Sequence, residues 1–330
     1  MGSSSQFHEV FAAEPGAAEG VTFARFMELA MYHPRVGYYT RDRRRVGRDK
    51  AADFFTATTF NPIFGELVVA ATIGLLAPAD PAEFIFVEIG AEPGGGVLRD
   101  IAHPFAGYRM ITYGQPFEFP PRAVVFSNEL FDAQPFHRVV HRGPVWRELG
   151  VALRDGKLRE VEMPDISPEL AAWADRLPPA APEDYHIDLP LRAVPLLERI
   201  VGPDWSGLFL AFDYGKTWRE LAENIPGGTG RTYSHQKMGG DLLARPGEVD
   251  LTCHVCWDWL VDTLQQNRFG EALVESHEVF FTRRATARLA EIVAAEAGKH
   301  TLRKRFLLTL LHPGNMGQKF QALHALRSPG

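Results

Sequence analysis

Three apolar runs in this chain stop in the same way. "EFIFVEIG", "AVVFSNELF" and "GLFLAFDYG" are near-continuously hydrophobic, then break at Glu88-Ile89-Gly90, Ser127-Asn128-Glu129 and Asp213-Tyr214-Gly215. A strand that is apolar on both faces must be covered on both faces, so such runs belong inside a largely parallel sheet. Segments with helical spacing alternate with them, which argues for an α/β fold with helices on both sides. Val87, Val125 and Phe209 are expected on its central strands. Ligands of such sheets bind beyond the carboxyl ends of the strands, where the three polar triplets lie.

The remaining elements follow from local signals. Thr22 suits the N-cap of a helix whose apolar positions are Phe23, Phe26, Met27, Ala30 and Met31, with Pro34 ending it. "NPIFGELVVAATIGLL" reads as a second helix, with Asn61 as its cap and Pro62 in its first turn. "GGVLRDIA" reads as a short helix, "RMITYG" as a weak strand, "SHEVFFTR" as a strand and "ATARLAEIVAA" as a helix. "PVWRELGVALRDGKLREVEM" reads as a hairpin about Asp155-Gly156. The expected organisation is a loose N-terminal arm (1–20), an N-terminal helical extension (21–80) and a core (81–330). A hairpin and proline-rich insertion at 145–200 interrupts the core.

Composition narrows the function classes. Thirty-five basic and 41 acidic residues give a net charge of -6, a poor footing for nucleic-acid binding, which needs a basic face. The basic run from Arg41 to Lys50 reads as a solvated loop. With only two cysteines, Cys253 and Cys256, no disulfide framework is expected and the chain reads as cytoplasmic. No run has the length for membrane insertion. The C-x-x-C pair lacks the further ligands that zinc needs, so no metal site is expected.

Several motifs carry candidate chemistry. In "VEIGAEPGGGVLRDI", glycines follow a strand and permit close backbone approach to a ligand, although three adjacent glycines also suit a plain turn. The loop matches neither a P-loop nor a dinucleotide fingerprint. "FSNELFDAQPFHR" delivers Asn128, Glu129 and Asp132 to a strand end, as an amine-binding group or as a capped turn. "YHPRVGYYT" places Tyr32, His33, Tyr38 and Tyr39 about a turn, as a pocket wall or as packing. No nucleophile elbow is present.

Taken in order, "FMELAMYHPRVGYYT", "DFFTATTFNPIFGEL", "VEIGAEPGGG", "SNELFDAQPFHR", "WREL", "FDYG", "RTYSHQ" and "PGEVDLTCHV" resemble the MidA-like family of class I S-adenosylmethionine-dependent methyltransferases. This family includes the mitochondrial complex I assembly arginine methyltransferase. The resemblance implies a Rossmann-like, mostly parallel sheet with an N-terminal helical extension and an inserted substrate-side lobe. It implies S-adenosylmethionine held by Glu88, Gly90, Gly94, Gly96, Ser127, Asn128, Asp53 and Thr56. Glu129, Asp132, Tyr38 and His33 would face a protein substrate, with arginine as a candidate side chain. A homodimer is among the assemblies it allows.

The sequence departs from the family twice. Glu92-Pro93 looks inserted in the glycine loop. The family's second strand ends in a ribose-binding acid followed by a helix, whereas "MITYGQPFEFPPRAVVF" passes almost directly into the next strand, with only Gln115 and Glu118 nearby. A weakened cofactor site is therefore expected, and a binding or assembly role is the alternative to catalysis.

Overall fold

The computed structural model describes residues 3–40, 60, 62–91, 95–234 and 237–329. Asp53, Thr56 and Gly94 lie outside them, as do the basic run from Arg41 to Lys50, Asn61 and Glu92-Pro93. Two compact units are formed. One comprises Met1–Phe54, Phe131–Pro195 and Lys216–Cys256, the other Phe55–Leu130, Leu196–Gly215 and Trp257–Gly330.

The second unit contains a six-stranded sheet. Its strands are β1 (Ile85–Ile89), β2 (Gly107–Ile111), β3 (Arg122–Asn128), β4 (Ser206–Asp213), β5 (Leu273–Ser276) and β6 (Gln321–Arg327). Their spatial order is β5-β6-β4-β3-β1-β2. The pairs β1·β2, β1·β3 and β3·β4 are parallel, and β6 runs antiparallel to both β4 and β5. Val87 lies opposite Val125, and Val125 opposite Phe209, so the three residues expected on central strands share one row. Side chains alternate along a strand, and the opposite face carries an aromatic row that runs diagonally across the register. Phe86 and Phe126 rings lie 5.5 Å apart, Phe126 and Phe212 5.9 Å. The helices Ile63–Leu76 and His277–Arg284 cover this row through Phe64 and Phe281, which both contact Phe212.

Three local expectations are corrected in this unit. "GGVLRDIA" forms one turn at residues 97–100, not a helix. Asp100 has a left-handed φ of 60°, which does not propagate a right-handed helix, and Pro104 follows. "SHEVFFTR" is the helix His277–Arg284, because the Ser276 hydroxyl accepts the Val279 N–H as an N-cap and His277, Phe280 and Phe281 share a buried face. The helix Ile63–Leu76 has Pro62 in its N-cap position, without a side-chain bond. The stretch between β2 and β3 (112–121) contains no helix, as its sequence suggested.

The first unit carries a sheet ordered Val21–Thr22, Val145–Arg154, His137–Arg142, His186–Leu189, with Lys157–Glu162 paired to Val145–Arg154. The predicted hairpin turn is at Asp155 and Gly156, with φ of 50° and 70°, the double positive φ of a type I′ turn. Residues 1–20 are not a loose arm. Ser3–Ala12 is a helix, and Phe7 and Phe11, one turn apart, are fully buried against Phe26. The helix Phe23–Tyr32 begins at Thr22, whose hydroxyl accepts the Arg25 N–H. Residues 131–195 and 216–256 join these N-terminal helices in one unit, so the 145–200 stretch is not a separate lobe within its own boundaries.

Candidate functional site

In the second unit, the described residues of the predicted cofactor set, Glu88, Gly90, Gly96, Ser127 and Asn128, gather at the carboxyl ends of β1 and β3. Ile89 and Ser127 are paired partners, which brings the turn after β1 beside the end of β3. Glu88 is 3% exposed. Its carboxylate accepts the Val97 N–H at 2.7 Å and a hydrogen bond from the Tyr108 hydroxyl. Burial pushes its pKa up to about 6, against the opposing pull of the Tyr108 and Val97 bonds. Glu88 thereby ties strand β1, strand β2 and the glycine turn together.

The turn needs its glycines at two positions. Gly90 has φ of 79° and donates to the Ile111 carbonyl at 2.9 Å. Gly96 has φ of 112°, and a Cβ there would collide with the Tyr108 hydroxyl and the Met110 sulfur. Glycine is the residue that tolerates both demands.

At the end of β3, Ser127 Oγ and Asn128 Oδ1 are buried and have no hydrogen-bond partner among the described residues. A buried polar atom left unpaired costs about 1–3 kcal/mol, so these two atoms at a strand end are candidates for contact with a ligand. Asn128 Nδ2 donates to Glu129 Oε1 at 3.0 Å. Glu129 takes a left-handed φ of 51°, and its N–H donates to the Phe212 carbonyl at 2.8 Å.

At the end of β2, the two residues expected near a ribose are Gln115 and Glu118. Gln115 Oε1 accepts the Thr112 N–H at 2.8 Å and closes its own turn. Glu118 is exposed, and its backbone carbonyl accepts from Arg109.

The first unit holds the other predicted residues. Asp132 and Asp250 are both buried. Tyr39 donates its hydroxyl to Asp250 Oδ1 at 3.0 Å, and Tyr32 donates to the Ala133 carbonyl at 2.8 Å. Burial, then the charges of Asp250 and neighbouring groups including Asp132, raise the Tyr39 pKa well above its ordinary value. Tyr38 is fully buried, edge-on to Tyr39. His33 caps the helix Phe23–Tyr32, and its Nδ1 accepts the Arg35 N–H. Tyr39 was read from sequence as a pocket wall or as packing, but its partner Asp250 was not singled out, although "PGEVDLTCHV" contains it. The strand Asp250–Thr252 is only three residues long, too short to show a pattern. Tyr108 was missed as well. Its place on the Glu88 face depends on the β1·β2 register, which pairs Phe86 with Tyr108. Cys253 and Cys256 are both buried, and the Cys253 N–H donates to the Asp132 carbonyl.

Comparisons with known proteins bear on the fold and on residues 109–272. Residues 109–272 match a family model described as "Putative S-adenosyl-L-methionine-dependent methyltransferase". The chain is similar to a "COG1565 superfamily member and likely methyl transferase" from Burkholderia thailandensis bound to S-adenosyl-homocysteine. That match has a TM-score of 0.84 and 24% identity, and covers 99% of this chain and 93% of that one. An "uncharacterized ACR, COG1565 superfamily protein" from the same organism matches with a TM-score of 0.81 and 23% identity, over 99% and 93% of the two chains. No curated protein matches. Over residues 109–272 the chain is similar to this family of putative S-adenosyl-L-methionine-dependent methyltransferases, and its fold is that of the two solved COG1565 proteins.

Proposed function

We propose that the chain transfers a methyl group from S-adenosylmethionine to a protein side chain, with arginine as the favoured acceptor. The observation that carries the cofactor assignment is the pair of orphaned buried atoms, Ser127 Oγ and Asn128 Oδ1, beside the turn held by Glu88. These residues fit the group. A buried carboxylate suits a cationic ligand, and the left-handed glycines permit close backbone approach. When bound, the cofactor supplies a methyl group already activated on a sulfonium. The solved relative that holds S-adenosyl-homocysteine supports the same assignment.

The protein's task is then alignment and exclusion of water. An arginine acceptor needs carboxylates to orient its guanidinium, and Glu129 of the second unit is proposed for that role; in the first unit Asp132, with Tyr38 and His33, is the candidate acidic group. A cytoplasmic location, homodimer formation and a lack of nucleic-acid partners belong to the same proposal. Among the described residues, no helix is long and apolar enough to cross a membrane.

The test is methyl incorporation from labelled cofactor into arginine-bearing peptides, with lysine-bearing peptides as the control. Glu129→Gln is expected to lower the rate at least about a hundredfold, from lost orientation. A second reading, a binding or assembly protein, is favoured by the end of β2, where Gln115 is engaged in its own turn. Cofactor affinity weaker than millimolar, with no methyl incorporation into any peptide, would select it.

A further inference from the structure

We propose that Tyr108 is a positioning residue of the cofactor site. Its hydroxyl holds the Glu88 carboxylate in place, and through it the Val97 amide, so that the glycine turn is fixed on the sheet. The inference rests on the cofactor assignment above and goes beyond it, since Tyr108 belongs to none of the motifs that point to the family.

Three observations carry it. Tyr108 and Val97 converge on the same oxygen, Glu88 Oε2, so strand β2 and the turn are joined through one carboxylate. Gly96 approaches the Tyr108 hydroxyl so closely that no Cβ fits between them. The Tyr108 ring is itself held in place, 6.1 Å from that of Phe86 on β1. The turn at 97–100 is not followed by a helix, so helix hydrogen bonds do not hold it. The Tyr108–Glu88–Val97 chain supplies a fixed point in their place.

The bond also sets the charge of Glu88. Burial favours the neutral acid, while the Tyr108 hydroxyl and the Val97 amide favour the carboxylate. These are the groups that act on Glu88 among the described residues, and the His103 ring lies 6.5 Å from that of Tyr108. A cationic ligand favours ionised Glu88, so its binding weakens as pH falls through the acid's titration near 6. The loss amounts to about tenfold between pH 7.5 and pH 5. Removing the Tyr108 hydroxyl takes away a bond to the charged form, so the decline begins at higher pH.

The experiment measures S-adenosylmethionine and S-adenosylhomocysteine binding to the full chain by calorimetry from pH 5 to 8. Wild type, Tyr108→Phe and Glu88→Gln are compared, each checked for an unchanged melting temperature. Tyr108→Phe is expected to bind about tenfold more weakly at pH 7.5 and to show an upward-shifted pH midpoint. Glu88→Gln is expected to bind weakly with a flat profile. The pH effect is expected to be larger for S-adenosylmethionine, whose sulfonium charge its product lacks. A folded Tyr108→Phe with wild-type affinity and midpoint overturns the inference. If Tyr108→Phe does not fold, a Glu88→Gln profile that still titrates near pH 6 overturns it. Wild type that binds neither compound overturns the cofactor assignment itself, and the inference with it.

Discussion

At the scale of single residues, Glu129 shows the site's cost most clearly. A non-glycine residue at φ of 51° carries backbone strain of about 1 kcal/mol or more, and such strain concentrates where a side chain must be aimed. Glu129→Gly relieves the strain but loses the Asn128 bond, and glycine gains freedom in the unfolded chain. The expected outcome is a stability change within about 0.5 kcal/mol, read by urea denaturation, together with loss of methyl transfer. A Glu129→Gly variant destabilised by several kcal/mol would make Glu129 a structural residue instead. Glu129 and the buried Glu88 were both legible as strand-end acids in sequence. The strain and the burial were not, because they depend on neighbours distant in the chain, Phe212 and Tyr108.

At the scale of elements, legibility followed the strength of local signals. The strands through Val87, Val125 and Phe209 were readable because each is apolar on both faces and ends in a polar turn. The helix His277–Arg284 was misread because Val279-Phe280-Phe281 suits a strand as well as a helix. The Ser276 cap decides between them, and its single hydrogen bond leaves no periodic trace. Ser276→Ala is expected to cost about 1 kcal/mol, measured by chemical denaturation, and a neutral result would show that packing of Phe280 and Phe281 alone sets the helix start. The glycine turn was misread in the opposite direction, since Val97, Leu98 and Ile101 have helical spacing but Asp100 adopts a left-handed φ. Gly96→Ala is expected to abolish detectable cofactor binding, because its Cβ would overlap the Tyr108 hydroxyl. Undiminished binding by this variant would mean that the turn is not part of the site.

At the scale of the whole molecule, each unit carries its own buried charge network. In the first unit, His137 lies 2.7 Å from Glu148 and 3.3 Å from Glu169. Burial lowers its pKa, but the bonds to Glu148 and Glu169 outweigh burial and the net shift is upward. A histidine whose folded pKa is raised contributes stability that is fully present below its unfolded pKa, about 6.5, and is lost as pH rises through the folded value. The melting temperature is therefore expected to fall from pH 6 to pH 9, with a shallower fall in Glu148→Gln, measured by scanning calorimetry. Parallel slopes would remove His137 as the cause. The central claim is the proposal that the second unit holds a cofactor site with a thin ribose side. It is tested most directly by calorimetric titration of the full chain with S-adenosylhomocysteine at pH 7.5. The account predicts saturable binding with a Kd between about 10 μM and 1 mM, lost in Gly96→Ala. No binding at millimolar ligand, or equal binding by Gly96→Ala, would contradict it.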